Sequence, residues 1–163
     1  MRIITVKQSF DRIDDGILRA LQNNARMSNK ELAAEVGLAP SSCLERVRRL
    51  QTQGVLQGYR ARVDSGSLGI GLEAFVSVRL AKHSRKLVDS FREHVSTLEE
   101  TVAIYHVAGE EDFLVHVAVR DAEHLRDLAL DAFTTRAEVS RLNTSLIYEH
   151  VRQPVLPNYA VEK

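Results

Sequence analysis

A chain of 163 residues has room for one domain or two small ones, and a hydrophobic content of 44% is enough for real cores. No apolar run approaches the roughly 20 residues that a membrane span needs. The first residues lack a signal peptide's apolar core, so a cytoplasmic protein is expected. A single cysteine excludes an internal disulfide and fits a reducing compartment. The net charge is zero but unevenly spread. Residues 1–63 hold 11 Lys+Arg against 6 Asp+Glu, and residues 64–163 hold 11 against 16, so the halves carry +5 and −5. A basic N-terminal part on an acidic C-terminal part suits a nucleic-acid reader joined to a partner domain.

Met1 to Ser9 has no clear period and reads as an extended arm. The spacing then predicts a helix from about Arg12 to Asn23, capped by Asp11, with Ile13, Ile17, Leu18 and Leu21 as its buried stripe. Ser28 and Glu31 form a capping box for a second helix carrying Leu32, Ala33 and Val36. Gly37 ends it where a positive φ is wanted, and Pro40 opens a third helix. There Cys43, Leu44, Val47 and Leu50 recur at helical spacing and are expected inward, with Cys43 a small core residue. Ser41, Ser42, Glu45, Arg46, Arg48 and Arg49 are left outside. This is the layout of a helix-turn-helix, whose second helix enters the DNA major groove. An ordinary helical hairpin with a solvated basic face is the bland alternative.

After Gly54 the period changes. Tyr59, Ala61 and Val63 alternate with Arg60 and Arg62 behind Gly58, which predicts a short strand, the wing of a winged helix-turn-helix. Between residues 45 and 62, five arginines face Glu45 alone. Ser41, Ser42, Glu45 and Arg49 are candidates for base-edge contacts, since Arg pairs with guanine and Ser with several bases. Arg46, Arg48, Tyr59 and Arg60 are candidates for phosphate contacts. An ion pair within the domain is the alternative for Arg46. The DNA-binding domain is thus read as residues 1–63, and Asp64 to Gly71, with three glycines and two serines, as the linker.

Residues 72–151 alternate strand and helix. Leu72 to Ala81 is a strand with Leu72, Ala74, Val76, Val78 and Leu80 on one face. Ser84 to Leu98 is a helix with Leu87, Phe91, Val95 and Leu98 inward. Two strands, Val102 to Val107 and Phe113 to Val119, flank the loop Ala108-Gly109-Glu110-Glu111-Asp112. Asp121 caps a helix with Leu125, Leu128, Ala129, Ala132 and Phe133 as its stripe, and Val139 to His150 is the last strand. The order βαββαβ is the ferredoxin-like sandwich, an α+β fold. Its second sheet face would carry Phe75, Ser77, Leu114, His116 and Ala118, too apolar to stay wet, which predicts a dimer packed sheet on sheet. Residues 152–163, with Pro154 and Pro157, read as an extended tail that either crosses to a neighbouring subunit or is mobile.

No metal-ligand spacing links His83, His94, His106, His116, His124 and His150, and the hairpin register places His106 opposite Leu114. No phosphate loop, dinucleotide fingerprint, CxxC pair or nucleophile elbow is present, so neither a cofactor nor a metal is expected. An enzyme, or a small-molecule sensor on a ferredoxin-like domain that does not bind DNA, remains the alternative.

Several strings resemble the leucine-responsive/asparagine-responsive (Lrp/AsnC) family of transcription regulators. They are Asp11-Arg12-Ile13-Asp14 with Ile17-Leu18, Leu32-Ala33 with Val36-Gly37-Leu38, Cys43 through Leu50, Gly54-Val55-Leu56 and Gly58-Tyr59, and Val107 through Phe113. The resemblance implies a sequence-specific regulator of amino-acid metabolism genes and a homodimer, often an octamer. It implies an amino acid or similar effector bound between subunits. A symmetric dimer should favour a pseudo-palindromic duplex with half-sites about one helical turn apart. Glu110 and Asp112 could take an effector's ammonium, and backbone N–H groups around Ala108 and Gly109 its carboxylate. A tight hairpin turn with solvated acids is the alternative. The resemblance adds Thr134, which could line a pocket or simply end a helix, and Thr144.

The chain also departs from the family pattern. Ala39 stands where a Ser or Thr usually caps the recognition helix, which weakens the cap unless Ser41 or Ser42 serves. The loop reads Gly-Glu-Glu-Asp-Phe where Gly-Asp-x-Asp-Tyr is common, and Thr135 to Val139 replaces a Leu-Pro-Gly-Val. Leu142, in a common threonine position, would make its wall more apolar.

Overall fold

The computed structural model describes residues 10–82 and 84–161, so the expected arm Met1–Ser9 and His83 lie outside the described residues. The chain forms two compact units, one of the residues up to Arg62 with those from Val151 on, the other Val63–His150.

The first unit holds three helices, α1 (Arg12–Asn23), α2 (Asn29–Glu35) and α3 (Pro40–Thr52). Asp11 caps α1 by accepting from the Asp14 N–H at 2.8 Å, and Ser28 and Glu31 close their capping box around α2. Gly37 takes φ +70°, a conformation that any Cβ would strain, and turns the chain into α3. Ala39 precedes α3 without a side-chain cap, and neither Ser41 nor Ser42 supplies one. Ile17, Ala20, Leu21, Leu32, Ala33, Cys43 and Leu50 make the core. Burial pushes the Cys43 thiol pKa up, so it packs as a small apolar group. Leu44, expected inward, is 37% exposed. It lies about 100° around the helix from Cys43, at the edge of the stripe that α1 and α2 cover.

The expected wing strand is not formed. Val55 to Val63 carries no strand, and Tyr59 and Val63 are exposed. Alternation marks residues that could line one side of a strand, but a strand needs a ladder partner, and the described residues of this unit offer none. The tail supplies what the sequence left open, because it lies along α1 of its own chain. The Leu156 N–H donates to Gln22 Oε1 at 3.0 Å, Asn158 Nδ2 to Asp15 Oδ1 at 2.8 Å, and the Phe10 N–H to the Ala160 carbonyl at 3.1 Å. A parallel bridge joins Phe10 to Val161.

The second unit is a four-stranded antiparallel sheet in the order β2-β3-β1-β4, from β1 (Leu72–Leu80), β2 (Thr101–His106), β3 (Phe113–Val119) and β4 (Val139–Leu146). With α4 (Arg85–Ser96) and α5 (Ala122–Leu128) this is the expected βαββαβ order. Ala74, Val76, Val78 and Leu80 alternate inward from β1, and Phe113 of β3 pairs opposite Val78. Together they meet Phe91, Val95, Leu125, Leu128 and Phe133 from the helices. The helix after Leu128 widens into a π turn, Ala129–Thr134, that turns Phe133 into this core. Before β1, Gly66–Leu68 forms a 3₁₀ turn pinned by Asp64, whose Oδ2 accepts from the Ser67 N–H and hydroxyl at 2.7 Å. A Cβ on Gly71 would stand 2.3 Å from the Arg120 carbonyl oxygen, so only glycine fits there.

The hairpin register differs by one residue from expectation. The Val107 N–H donates to the Asp112 carbonyl at 2.9 Å, which sets His106 opposite Phe113 and Tyr105 opposite Leu114. His106 stacks on the Phe113 ring at a centroid distance of 4.7 Å.

Candidate functional site

α3 carries its polar residues on two sides. Ser41, Ser42, Glu45, Arg48 and Arg49 belong to its exposed side. Arg46 is turned toward α1, where its Nη1 donates to Asp11 Oδ2 at 2.6 Å and Asp14 Oδ1 at 3.0 Å. The ion pair considered as the alternative for Arg46 is therefore present. The Asp14 N–H bond, first, and the Arg46 guanidinium hold the Asp11 carboxyl below its usual range. The bonds to Asp11 and Asp14 in turn push Arg46 further up, so it stays charged. Arg49 Nη2 donates to both Asp14 oxygens, at 2.7 and 2.5 Å. Arg48, between them, is exposed. Tyr59 and Arg60 stand with Leu21, Gln22 and Arg152 around a groove of about 420 Å³ beside the tail.

Sequence reasoning missed Asp14. It is an acid in the first turn of a helix, where the helix dipole alone explains an acid. Its burial, at 4% exposure, depends on two arginines 32 and 35 residues further on.

In the second unit, Ala108, Gly109, Glu110 and Asp112 lie at the end of the sheet where β1 stops and β4 starts. Asp112 is 8% exposed, and its Oδ2 accepts from the Leu80 N–H at 2.7 Å while its own N–H donates to the Val78 carbonyl at 2.9 Å. That carboxylate fastens the loop to β1. Glu110 is exposed and accepts from Arg141 Nη1 of β4 at 2.8 Å. Glu111 Oε2 is a buried oxygen with no hydrogen-bond donor among the described residues. Thr134 ends the π turn with its hydroxyl on the Leu130 carbonyl at 2.6 Å. Thr144 sits further along β4, opposite Val76 and exposed, while Leu142, opposite Val78, packs on the core. The loop residues thus stand at one end of the sheet, while Thr134 ends the π turn and Thr144 lies opposite Val76, further along β4.

Three further histidines are engaged locally. His94 bonds the Ala132 carbonyl at 2.8 Å, His124 meets Glu100 at 3.0 Å, and His116 meets Glu73 at 2.7 Å on the sheet face away from the helices. Among the described residues, no group of three His, Cys, Asp or Glu could hold a metal ion, and no helix is long and apolar enough to cross a membrane.

Comparison with known proteins gives two family matches. An AsnC-type helix-turn-helix domain matches residues 10–51, and an Lrp/AsnC ligand binding domain matches residues 73–156. The chain is 42% identical over 145 residues to the HTH-type transcriptional regulator AldR of Mycolicibacterium smegmatis, covering 89% of this chain and 85% of that one. It is 37% identical over 146 residues to the leucine-responsive regulatory protein of Escherichia coli, covering 90% and 89%. Among solved structures, a transcriptional regulator of Neisseria meningitidis in complex with L-methionine superposes with a TM-score of 0.83. It is 28% identical, with 89% of this chain and 94% of that one covered.

Proposed function

Because the chain belongs to the Lrp/AsnC family of DNA-binding transcription regulators, we propose that it reads a pseudo-palindromic operator as a homodimer and responds to an amino acid or related metabolite held between subunits. It is a regulator and not an enzyme. The observation that carries the DNA reading is the exposed α3 surface of Ser41, Ser42, Glu45, Arg48 and Arg49, on the second helix of a helix-turn-helix whose first helix is closed by a capping box. In this reading α3 lies in the major groove, Ser41, Ser42, Glu45 and Arg49 meet base edges, and Arg48, Tyr59 and Arg60 meet phosphates. Arg46 is assigned to the ion pair with Asp11 and Asp14 and leaves the contact set. The single cysteine supports a cytoplasmic location.

The effector reading rests on the loop Ala108–Asp112. With Asp112 committed to the Leu80 N–H, an incoming ammonium falls to Glu110, which would exchange its exposed partner Arg141. The buried Glu111 Oε2 gives the loop a second acceptor for a donor arriving from outside it. Backbone N–H groups near Ala108 and Gly109 would take the carboxylate, with Thr134 and Thr144 at the rim. A thermal-shift screen of the twenty amino acids tests this. One or a few chemically related amino acids should raise the melting temperature in a concentration-dependent way, and Glu110→Gln should abolish the shift. A hit that survives Glu110→Gln would remove Glu110 from the site, and no hit among the twenty would remove amino acids as the effector class.

The dimer is supported by the sheet face that the helices leave uncovered. There Phe75 packs edge-on to Tyr105, at 6.2 Å between ring centroids, and tilted against His116 at 5.4 Å. Ser77 and Leu114 pair beside them. Sedimentation at micromolar concentration should give a dimer or a multiple of one, and Phe75→Glu should shift the chain to monomer. A monomeric wild type would refute the interface. Assembly to an octamer would show in the same run as a larger species.

A further inference from the structure

We propose that Asp14 is a positioning residue of the DNA interface, holding Arg49 ready for base readout before DNA arrives. The inference rests on the placement of α3 in the major groove. Ser42, Glu45 and Arg49 recur at i, i+3 and i+7, so they form one exposed stripe on α3. Arg49 is the member of that stripe with a long, flexible side chain, and 47% of it is exposed. Asp14 stands beside the stripe on α1 and is almost fully buried. Both its oxygens accept from Arg49 Nη2, and Oδ1 also accepts from Arg46 Nη1.

The two arginines differ in what the pairing leaves over. Arg46 is gripped by two carboxylates and is 26% exposed, so it serves the fold. Among the described residues, every hydrogen bond of Arg49 runs through Nη2, which leaves Nε and Nη1 as donors for a ligand. A guanidinium anchored at one nitrogen by a buried carboxylate has already lost most of its rotamer freedom. Its remaining donors point in one fixed direction, and the ordering is complete before binding. The same carboxylate offsets the arginine's charge, so Arg49 acts through the direction of its hydrogen bonds more than through phosphate neutralisation. A base edge with acceptors in the major groove, above all guanine, is the chemistry such a donor fits.

The test uses the full-length chain and two probes, a duplex selected from a random library by the wild-type protein and a random-sequence duplex. Affinity for each is measured over a salt series for Asp14→Asn, Arg49→Ala and the double variant, with folded fraction checked by circular dichroism at the assay temperature. Asp14→Asn and Arg49→Ala are each expected to weaken binding to the selected duplex about ten-fold. Binding to the random duplex should stay within about two-fold, and the double variant should be no worse than Arg49→Ala alone. Full additivity of the two losses, equal losses on both duplexes, or wild-type discrimination in Asp14→Asn would each overturn the proposal. Where Asp14→Asn does not fold, Arg49→Lys takes its place, since it keeps the charge and loses the planar fork. Discrimination should fall as in Arg49→Ala, and retained discrimination would overturn the proposal. If Arg48→Ala and Arg49→Ala both bind the selected duplex like the wild type, the placement of α3 itself fails, and the proposal with it.

Discussion

Replacing Phe91 by alanine is expected to destabilise the second unit by about 3–5 kcal/mol, the largest single loss anticipated in this chain. Phe91 is fully buried on α4, with Phe113 of β3 at 4.9 Å and Phe133 of the π turn at 6.3 Å between ring centroids. Three aromatic rings from three elements meet at this point, so truncating the central one removes both transfer energy and edge contacts, and no neighbour can collapse into the space without leaving its own strand or turn. The stability of a single small domain is on the order of 5–15 kcal/mol, so the variant should unfold in calorimetry well over ten degrees below the wild type. Leu130→Ala, on the same π turn but 52% exposed, serves as the control and should stay within about 0.5 kcal/mol. If Phe91→Ala melts with the control, the aromatic cluster is not what holds the helices to the sheet.

Arg48→Ala should produce the largest loss of DNA affinity without a loss of stability. Arg48 is exposed between two arginines that are paired to Asp14, so its charge is available to phosphate. Each phosphate contact contributes about 0.9 to the slope of log affinity against log salt. A dimer presents the residue twice, and the slope should therefore fall by about two. Affinity at low salt should drop on the order of ten- to a hundred-fold, by similar factors on selected and random duplexes. Arg46→Ala should behave in the opposite sense. It strips partners from Asp11 and from the buried Asp14, so its effect should appear in the melting temperature while the salt slope stays near that of the wild type. A loss confined to one base position in Arg48→Ala would assign that residue to base readout instead.

Local signals in this chain are strong where one residue decides one structural event. Asp11, Ser28 with Glu31, Gly37 and Ser84 mark helix ends that the structure keeps, because caps and positive φ are settled within four residues of sequence. The alternation in Leu72–Leu80 and Phe113–Val119 was equally legible, since each strand has one face on the helices. The features that escaped depend on partners far along the chain. Tyr59 to Val63 alternates like a strand but finds no neighbour to pair with among the described residues. Asp112 looks like a solvated loop acid until the fold brings the Leu80 N–H to it. The docking of Asn158 on Asp15 spans 143 residues and has no periodic signature at all.

That last contact changes how the regulator can be taken apart. Because the residues after His150 return to α1, the sensor is spliced into the reader as an insertion with two seams, at Arg62/Val63 and at His150/Val151. A hybrid that grafts another sensor after Arg62 alone would strip the reader of a piece of its own wall along Asp15 and Gln22. A transplant cut at both seams would keep that wall, and the new domain would be joined to the reader by two strands of chain instead of one.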